Sequence, residues 1–177
     1  MSHLAKPVVV FRKSVPDLSE AALARFLARA GRAAGLRGSV NVLVTRSREL
    51  QALNSRFRGK DKPTDVLSFA ALPGVVNDVA GDVAISAEIA AQNAKQLGHS
   101  AAQEIKILAL HGIIHLAGYD HQSDQGTMAR KEMKLRKFLG LPSGLIERSD
   151  LRTSSTRRGK RIPPAPKARA TRSLRKP

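Results

Sequence analysis

The chain of 177 residues contains no cysteine and no long apolar run, and both absences limit what it can be. Without cysteine it can form neither disulfide bonds nor the cysteine-rich zinc sites that four ligands close. No segment approaches the roughly 20 apolar residues that cross a bilayer, and the apolar run at residues 7–11 is too short for a signal-peptide core. We therefore expect a cytoplasmic protein with no membrane partner.

Acidic residues are also scarce, because 14 Asp and Glu stand against 31 Lys and Arg, for a formal net charge of +17. Residues 151–177 hold 10 of the basic residues and no acidic one, so residues 1–150 keep 21 minus 14, or +7. This charge exceeds what solubility requires. It indicates a polyanionic partner, for which nucleic acid fits best.

Length and composition indicate one folded domain followed by a basic tail. A chain with 42% hydrophobic residues can bury one ordinary core, and we assign this domain to residues 1–150. Residues 151–177 consist mainly of Arg, Lys, Pro, Ser, Thr and Ala. They cannot bury a core, so we expect this tail to be disordered when free.

Hydrophobic periodicity predicts a mixed α/β fold in which a sheet of about four strands packs with about five helices. Strands are expected at residues 7–11, 39–45, 66–69 and 81–85. Helices are expected at residues 18–34, 46–57, 86–97, 101–117 and 124–139. Asp17, with Glu20 three residues later, is the expected start of the first helix.

Two of these helices carry most of the predicted core. Residues 101–117 are apolar around the whole circumference, so this helix should be central and buried on most sides. In the last helix, Met128, Leu135, Phe138 and Leu139 form one stripe, which predicts core packing.

The central helix ends in the motif HGIIHLAGYDH, residues 111–121. His111 and His115 are four residues apart and so share one helix face. A turn at Gly118 would bring in His121 and complete three imidazoles around a metal, with one position open to water. Three ligands with an open position are typical of catalytic metal sites.

The same histidine spacing occurs in metzincin proteases, which need a glutamate directly after the first histidine as general base. Here that position is Gly112, which argues against proteolysis. A zinc-bound water needs no strong base nearby, because the metal lowers its pKa. For a phosphodiester substrate, an arginine would stabilise the charge that develops on the phosphoryl oxygens.

Three segments resemble motifs of the YbeY family of bacterial endoribonucleases, also called rRNA maturation factors. They follow one another in the same order as in that family. They are NSRFRGKDKPTDVLSF at residues 54–69, GDVAI at residues 81–85 and HGIIHLAGYDH at residues 111–121. The resemblance spans about residues 40–139, and the basic tail lies beyond it.

This resemblance implies a mixed α/β fold whose metal-binding helix faces a cleft beside the sheet. It implies one Zn²⁺ per chain held by His111, His115 and His121, and it makes Arg58 the functionally important arginine. Spacing alone does not distinguish Arg58 from Arg56. We take Arg58 and the ligand His111 as the catalytic residues.

The resemblance also implies the substrate and the partner. It implies cleavage of single-stranded RNA, maturation of the 3′ end of small-subunit ribosomal RNA, ribosome quality control and contact with the small subunit. The loop residues either position RNA or cap a turn and strand, and the tail either contacts phosphates or only aids solubility. The candidate RNA contacts are Lys60, Thr64, Asp65, Ser68, Arg152, Arg157, Arg158, Lys160 and Arg161.

Two carboxylates are candidates for orienting a ligand imidazole, namely Asp120 and Glu104. Glu104 lies seven residues before His111, on nearly the same helix face, although the helix dipole also explains an acid in a first turn. His3 and His99 are expected to be surface residues.

The sequence therefore predicts a zinc-dependent endoribonuclease. The alternatives are a non-catalytic ribosome-assembly factor with a structural zinc and a metalloprotease, which Gly112 disfavours. The identity of the metal, the cleavage site and the choice between water and a 2′-hydroxyl as nucleophile stay open at this point.

Overall fold

The structure, a computed structural model, describes residues 6–72, 78–119 and 126–143. The four strands are β1 (Val9–Phe11), β2 (Ser39–Thr45), β3 (Val66–Ala70) and β4 (Val79–Ser86). The five helices are α1 (Glu20–Ala34), α2 (Ser47–Arg58), α3 (Ala87–Leu97), α4 (Ala101–Leu116) and α5 (Thr127–Leu139). Across the described residues, the predicted α/β class, the four-stranded sheet and the five helices are confirmed.

The sheet has the strand order β1-β2-β4-β3. β1, β2 and β4 run parallel, with Val42 of β2 opposite Val83 of β4. β3 runs antiparallel to β4, with Leu67 opposite Ala84. β3 is therefore an edge strand of the described sheet, and one of its sides faces away from the other strands.

Alternation along the strands divides the core into two layers. Val42 and Val44 of β2 belong to the larger cluster, which includes residues of α1, α3, α4 and α5. Leu43 of β2 and Ala84 of β4 belong to a smaller cluster that contains Leu50 of α2. The sheet thus has α2 on one face and the other four helices on the opposite face.

The predicted central helix is α4, and its burial is confirmed. Its side chains are buried around the circumference, with Ile113 and Ile114 fully inaccessible to solvent. Each fully buried Ile or Leu contributes about 1.5–3 kcal/mol relative to an exposed one, so α4 is firmly held. Its first turn is closed by a capping box, in which Ser100 and Gln103 each accept the other's backbone N–H.

Two details of the predicted helices are wrong. α1 begins after Ser19, whose hydroxyl accepts the Ala22 N–H, whereas Asp17 lies outside the helix with a φ of 59°. In α5, Met128, Leu135 and Leu139 are buried as predicted, but Phe138 is 67% exposed. It lies on the outer side of the last turn, where the Arg29 guanidinium is 6.0 Å from its ring centroid.

Some predicted features fall outside the described residues. These are the tail at residues 151–177, His3, and residues 124–125 at the expected start of the last helix. Within the described part of the chain, none of the helices has the length and apolar character that a membrane span requires.

Candidate active site

A cavity of about 530 Å³ opens between β3 and the C-terminal part of α4. His111 and His115 of α4 line it, and Arg58 reaches it from the last turn of α2. Alternation along β3 turns Ser68 toward the same space, and Tyr119 closes one end. One cavity therefore brings together two predicted metal ligands, the predicted arginine and a residue of the following strand.

The two histidines are spaced as ligands of one ion. Their Nε2 atoms are 3.1 Å apart, and their rings meet at 81° with centroids 4.7 Å apart. Two nitrogens that bind one tetrahedral zinc at 2.0–2.1 Å lie about 3.3–3.4 Å from each other. The helical spacing of His111 and His115 thus places both nitrogens close to the separation that a single zinc ion requires.

Hydrogen bonds fix which ring nitrogen of each histidine carries the proton. His111 Nδ1 donates to Glu132 Oε2, and His115 Nδ1 donates to the main-chain oxygen of Tyr119, both at 3.0 Å. A carboxylate or carbonyl oxygen can only accept, so in each neutral imidazole the Nε2 lone pair points into the cavity. Two lone pairs this close repel each other, whereas a cation attracts both. The residues therefore fit a bound Zn²⁺ ion.

The chain turns directly after α4, as the glycine predicted. α4 ends at Leu116, and Gly118 follows with a φ of 90°, a conformation that glycine adopts easily. The turn points the Tyr119 main-chain oxygen back at His115. Asp120 and His121 lie outside the described residues, and within the described ranges no cluster of three His, Cys, Asp or Glu could hold a metal. The third ligand stays a prediction.

Glu132 of α5 is a site residue that sequence reasoning missed. It is 1% exposed, and besides the His111 proton it accepts a hydrogen bond from Arg136 Nε at 3.0 Å. Burial lowers the pKa of Arg136, and the negative charge of Glu132 opposes this change. One signal was available in the sequence, because Glu132 and Arg136 fall on the same stripe as Met128. A carboxylate and a guanidinium on a buried stripe indicate an internal pair.

The two carboxylates proposed to orient an imidazole have different outcomes. Glu104 is fully buried, but its Oε2 lies 2.7 Å from His99 Nε2 and its Oε1 accepts from Asn93 Nδ2. The expectation that His99 is a surface residue is wrong, since its side chain is 9% exposed and packs at the α3–α4 turn. Asp120 lies outside the described residues.

The structure distinguishes Arg58 from its neighbour Arg56. Arg58 lines the cavity and donates an N–H to the main-chain oxygen of Ser68 at 3.0 Å, which fixes the guanidinium at the edge of β3 that faces away from β4. Arg56 instead lies over the ring of Phe57, with its Cζ atom 5.4 Å from the ring centroid.

The other predicted RNA contacts divide into three groups. Ser68 lines the cavity. Thr64 and Asp65 are half-buried outside its wall, and the Asp65 main-chain oxygen accepts the Ser86 N–H at 2.9 Å, so this residue joins the loop to the end of β4. Lys60 is exposed on the loop. Outside the described residues are Arg152, Arg157, Arg158, Lys160 and Arg161.

Comparison with known proteins gives a consistent set of relatives. The family model described as Endoribonuclease YbeY matches residues 8–140. The Endoribonuclease YbeY of Koribacter versatilis is 54% identical over 142 residues, which is 80% of this chain and 91% of the relative. That of Solibacter usitatus is 45% identical over 141 residues, which is 79% of this chain and 92% of the relative.

A solved structure shares the fold. The solution structure of a Thermotoga maritima protein aligns with a TM-score of 0.53 at 26% identity, covering 87% of this chain and 99% of that protein. The family match starts at residue 8, so the similarity includes β1 and α1 and extends further than the expected residues 40–139.

Proposed function

This chain belongs to the YbeY endoribonuclease family, and from that premise we propose that it is a zinc-dependent endoribonuclease specific for single-stranded RNA. One observation carries the proposal, namely that two histidine Nε2 atoms and the Arg58 guanidinium meet at one cavity. The net charge of +17 suits a polyanionic substrate.

His111 and His115, with His121 as the predicted third ligand, would hold the metal. When bound, zinc would act as a Lewis acid that activates water and polarises a phosphoryl oxygen. Glu132 and the Tyr119 carbonyl hold the two imidazoles in the tautomer that directs both Nε2 lone pairs into the cavity. Arg136 keeps Glu132 in place through its own hydrogen bond.

Arg58 would bind the scissile phosphate. The guanidinium has five N–H groups in a rigid plane, and the Ser68 carbonyl anchors one of its nitrogens at the cavity wall. The remaining donors suit two phosphoryl oxygens at once, where negative charge develops as the bond breaks. Arg58 thus acts as the electrostatic partner of the histidine site.

Family membership supports our proposal for the wider role. We place the enzyme in the cytoplasm, in maturation of the 3′ end of small-subunit ribosomal RNA and in ribosome quality control. Lys60, Thr64, Asp65 and Ser68, with the arginines and lysines of residues 151–177, are the proposed RNA contacts outside the catalytic pair. The tail would add affinity without reading sequence, because phosphate contacts carry no base information.

Gly112 gives a structural reason against proteolysis. A Cβ atom at this position would lie 2.8 Å from Val83 Cγ2 and 3.3 Å from Ser68 Oγ. The glutamate that a zinc protease needs there would require α4 to move away from the sheet, so the protease mechanism does not fit this helix.

The test is cleavage of single-stranded RNA by purified protein, with the same sequence in a duplex as the control substrate. We expect chelation or His115→Ala to abolish cleavage and Arg58→Ala to lower kcat about 10²–10³-fold. The matched control is Arg48→Ala, which changes an exposed arginine nearly three turns away on α2 and should cleave normally.

Two results would sink this assignment. Undiminished cleavage in both His115→Ala and Arg58→Ala would point to a contaminating nuclease. If chelation instead melts the protein, and the metal-loaded form never cleaves RNA, the assembly factor with a structural zinc is the better account.

A further inference from the structure

Phe57 is an exposed aromatic side chain in a chain that has few aromatics. The sequence contains five Phe, one Tyr and no Trp, yet Phe57 is 58% exposed. It lies in the last turn of α2, directly before the proposed catalytic Arg58. An exposed ring at this position contributes little to the core. Its exposed surface can instead contact a bound molecule.

The Phe57 ring packs against Phe69 of β3. Phe57 meets Phe69 of β3 edge to face, with centroids 5.4 Å apart and planes at 67°. Phe69 is half-buried against the small cluster of Leu50, Leu67 and Ala84, which is covered by α2. Phe57 therefore rests on a fixed support, and such edge-to-face pairs restrict the orientation of both rings.

A cation lies beside the same ring. The Arg56 Cζ atom is 5.4 Å from the Phe57 centroid, within the range of a cation–π contact. A guanidinium and an aromatic face are the two kinds of surface on which unpaired nucleobases stack. Phe57 and Arg56 together form what we call the aromatic platform.

The aromatic platform lies next to the cavity, around the edge of β3 that faces away from β4. Ser68 and Ala70 line the cavity, and Phe69 between them points to the opposite face of the sheet. Arg58 bridges the two sides, because its guanidinium binds the Ser68 carbonyl at that edge. A strand whose phosphate contacts Arg58 would carry an adjacent base across Phe57.

The local charge favours a nucleic-acid strand as the occupant. Arg56, Arg58, Lys60 and Lys62 are all exposed, and the one acidic residue among residues 56–62 is Asp61, which accepts a hydrogen bond from Gln51 Nε2 at 2.8 Å. A protein partner with an apolar surface would not require four cations around one phenylalanine.

We propose that Phe57 is the stacking platform for a base of the single-stranded RNA next to the scissile phosphate. This inference rests on the proposed function, since it takes RNA as the substrate. It also gives that function a basis for preferring single strands, because bases that are paired and stacked in a duplex cannot lie on the ring.

The direct test uses fluorescence and does not depend on cleavage. Phe57→Trp places the only indole in a chain without tryptophan. We expect quenching of this indole when the protein is rapidly mixed with single-stranded oligoribonucleotide. We expect none with an abasic oligomer of the same length, which has the same phosphates. Phe138→Trp is the matched control, since Phe138 is also exposed and beside an arginine, and it should show no quenching.

The kinetic test separates stacking from simple coverage of Phe69. Phe57→Ala and Phe57→Leu should raise KM for single-stranded RNA about tenfold with kcat nearly unchanged, and Phe57→Tyr should restore it. Phe138→Ala should leave KM unchanged. A normal KM in Phe57→Leu, or equal quenching by RNA and the abasic oligomer, would overturn the platform.

The two proposals fail in different ways. If the protein binds RNA with quenching but never cleaves it, the platform stands and the catalytic assignment falls. If it cleaves RNA while Phe57→Trp shows no quenching, the catalytic assignment stands and the platform falls.

Discussion

Glu132 orients the His111 imidazole, although Glu132 itself does not line the cavity. Its Oε2 accepts the His111 Nδ1–H, and its Oε1 accepts from Arg136, so the carboxylate is held on both sides. An anionic acceptor on Nδ1 makes the opposite ring nitrogen a stronger ligand. Glu132 is therefore a positioning residue whose effect should appear first in metal affinity.

We expect Glu132→Gln to lower zinc affinity about 10–100-fold, because a neutral amide replaces the charged acceptor. The measurement is competition for zinc against a chromophoric chelator. Glu104→Gln is the control, since Glu104 is equally buried in the same domain but is paired with His99. It should lower thermal stability and leave zinc affinity intact. Equal losses of affinity in both variants would mean that general destabilisation is responsible.

Residue types and local spacing predicted only part of the site. The sequence predicts that His111 and His115 act together, because four residues make about one helical turn. It does not predict which main-chain and side-chain groups accept hydrogen bonds from the two imidazoles. Glu132 follows His111 by 21 residues, and its contact depends on how α5 packs against α4. Family resemblance distinguishes Arg58 from Arg56, and the structure adds that Arg58 lines the cavity while Arg56 lies on Phe57.

At the scale of the elements, the site depends on the close approach of α4 to the sheet. Gly112 faces Val83 of β4, and no side chain fits between them. Val83 is β-branched and 1% exposed, so it has little freedom to turn away. His111 and His115 precede and follow Gly112 along α4. The distance between α4 and β4 at this contact therefore determines how far the two imidazoles reach into the cavity.

Gly112→Ala should therefore destabilise the protein even though alanine favours helix. We expect a net loss of about 1–2 kcal/mol, from overpacking of about 1–3 kcal/mol less the helical preference of alanine. Gly31→Ala is the matched control in α1. Apart from its chain neighbours and the backbone of its own helix, a Cβ there meets no described atom within 4 Å, so alanine should be stabilising by about 0.5–1 kcal/mol. Thermal melting of both variants measures this, and a Gly112→Ala protein as stable as Gly31→Ala would refute the contact.

Most elements could be predicted because their patterns are local. Valine alternation gave β2 at its observed bounds, and the all-round apolar character of residues 101–117 gave a central α4. Pairing order is not local, and nothing in the sequence showed that β3 would add antiparallel to β4 at the sheet edge. Phe138 precedes Leu139 by one residue, which is about 100° around a helix. It therefore lies at the edge of the buried stripe, where its side chain stays 67% exposed beside Arg29 of α1.

For the whole molecule, charge is the property that connects the domain with its proposed substrate. Residues 1–150 carry +7, and the tail adds 10 basic residues without an acidic one. Phosphate contacts release counterions from the nucleic acid, so affinity that depends on them falls steeply with salt. The contribution of the tail should appear in this salt dependence.

Deleting residues 151–177 should weaken binding to single-stranded RNA at low salt and flatten the plot of log affinity against log salt. The slope should fall by about 0.7 for each phosphate that the tail neutralises, with kcat unchanged. A full-length chain in which the ten basic tail residues are changed to glutamine is the control for length, and it should behave like the deletion. Identical slopes in all three proteins would leave the tail as an aid to solubility.

On the proposed function, a metal held by His111 and His115 makes this protein cut RNA. The most direct measurement titrates zinc into metal-free protein, purified without a nickel column, and records bound zinc and the rate of single-stranded RNA cleavage on the same sample. We predict that the rate rises in proportion to occupancy and levels off at one zinc per chain, and that His115→Ala shows neither tight binding nor cleavage. Full cleavage by the metal-free protein, or none by a protein that has bound one zinc per chain, would contradict it.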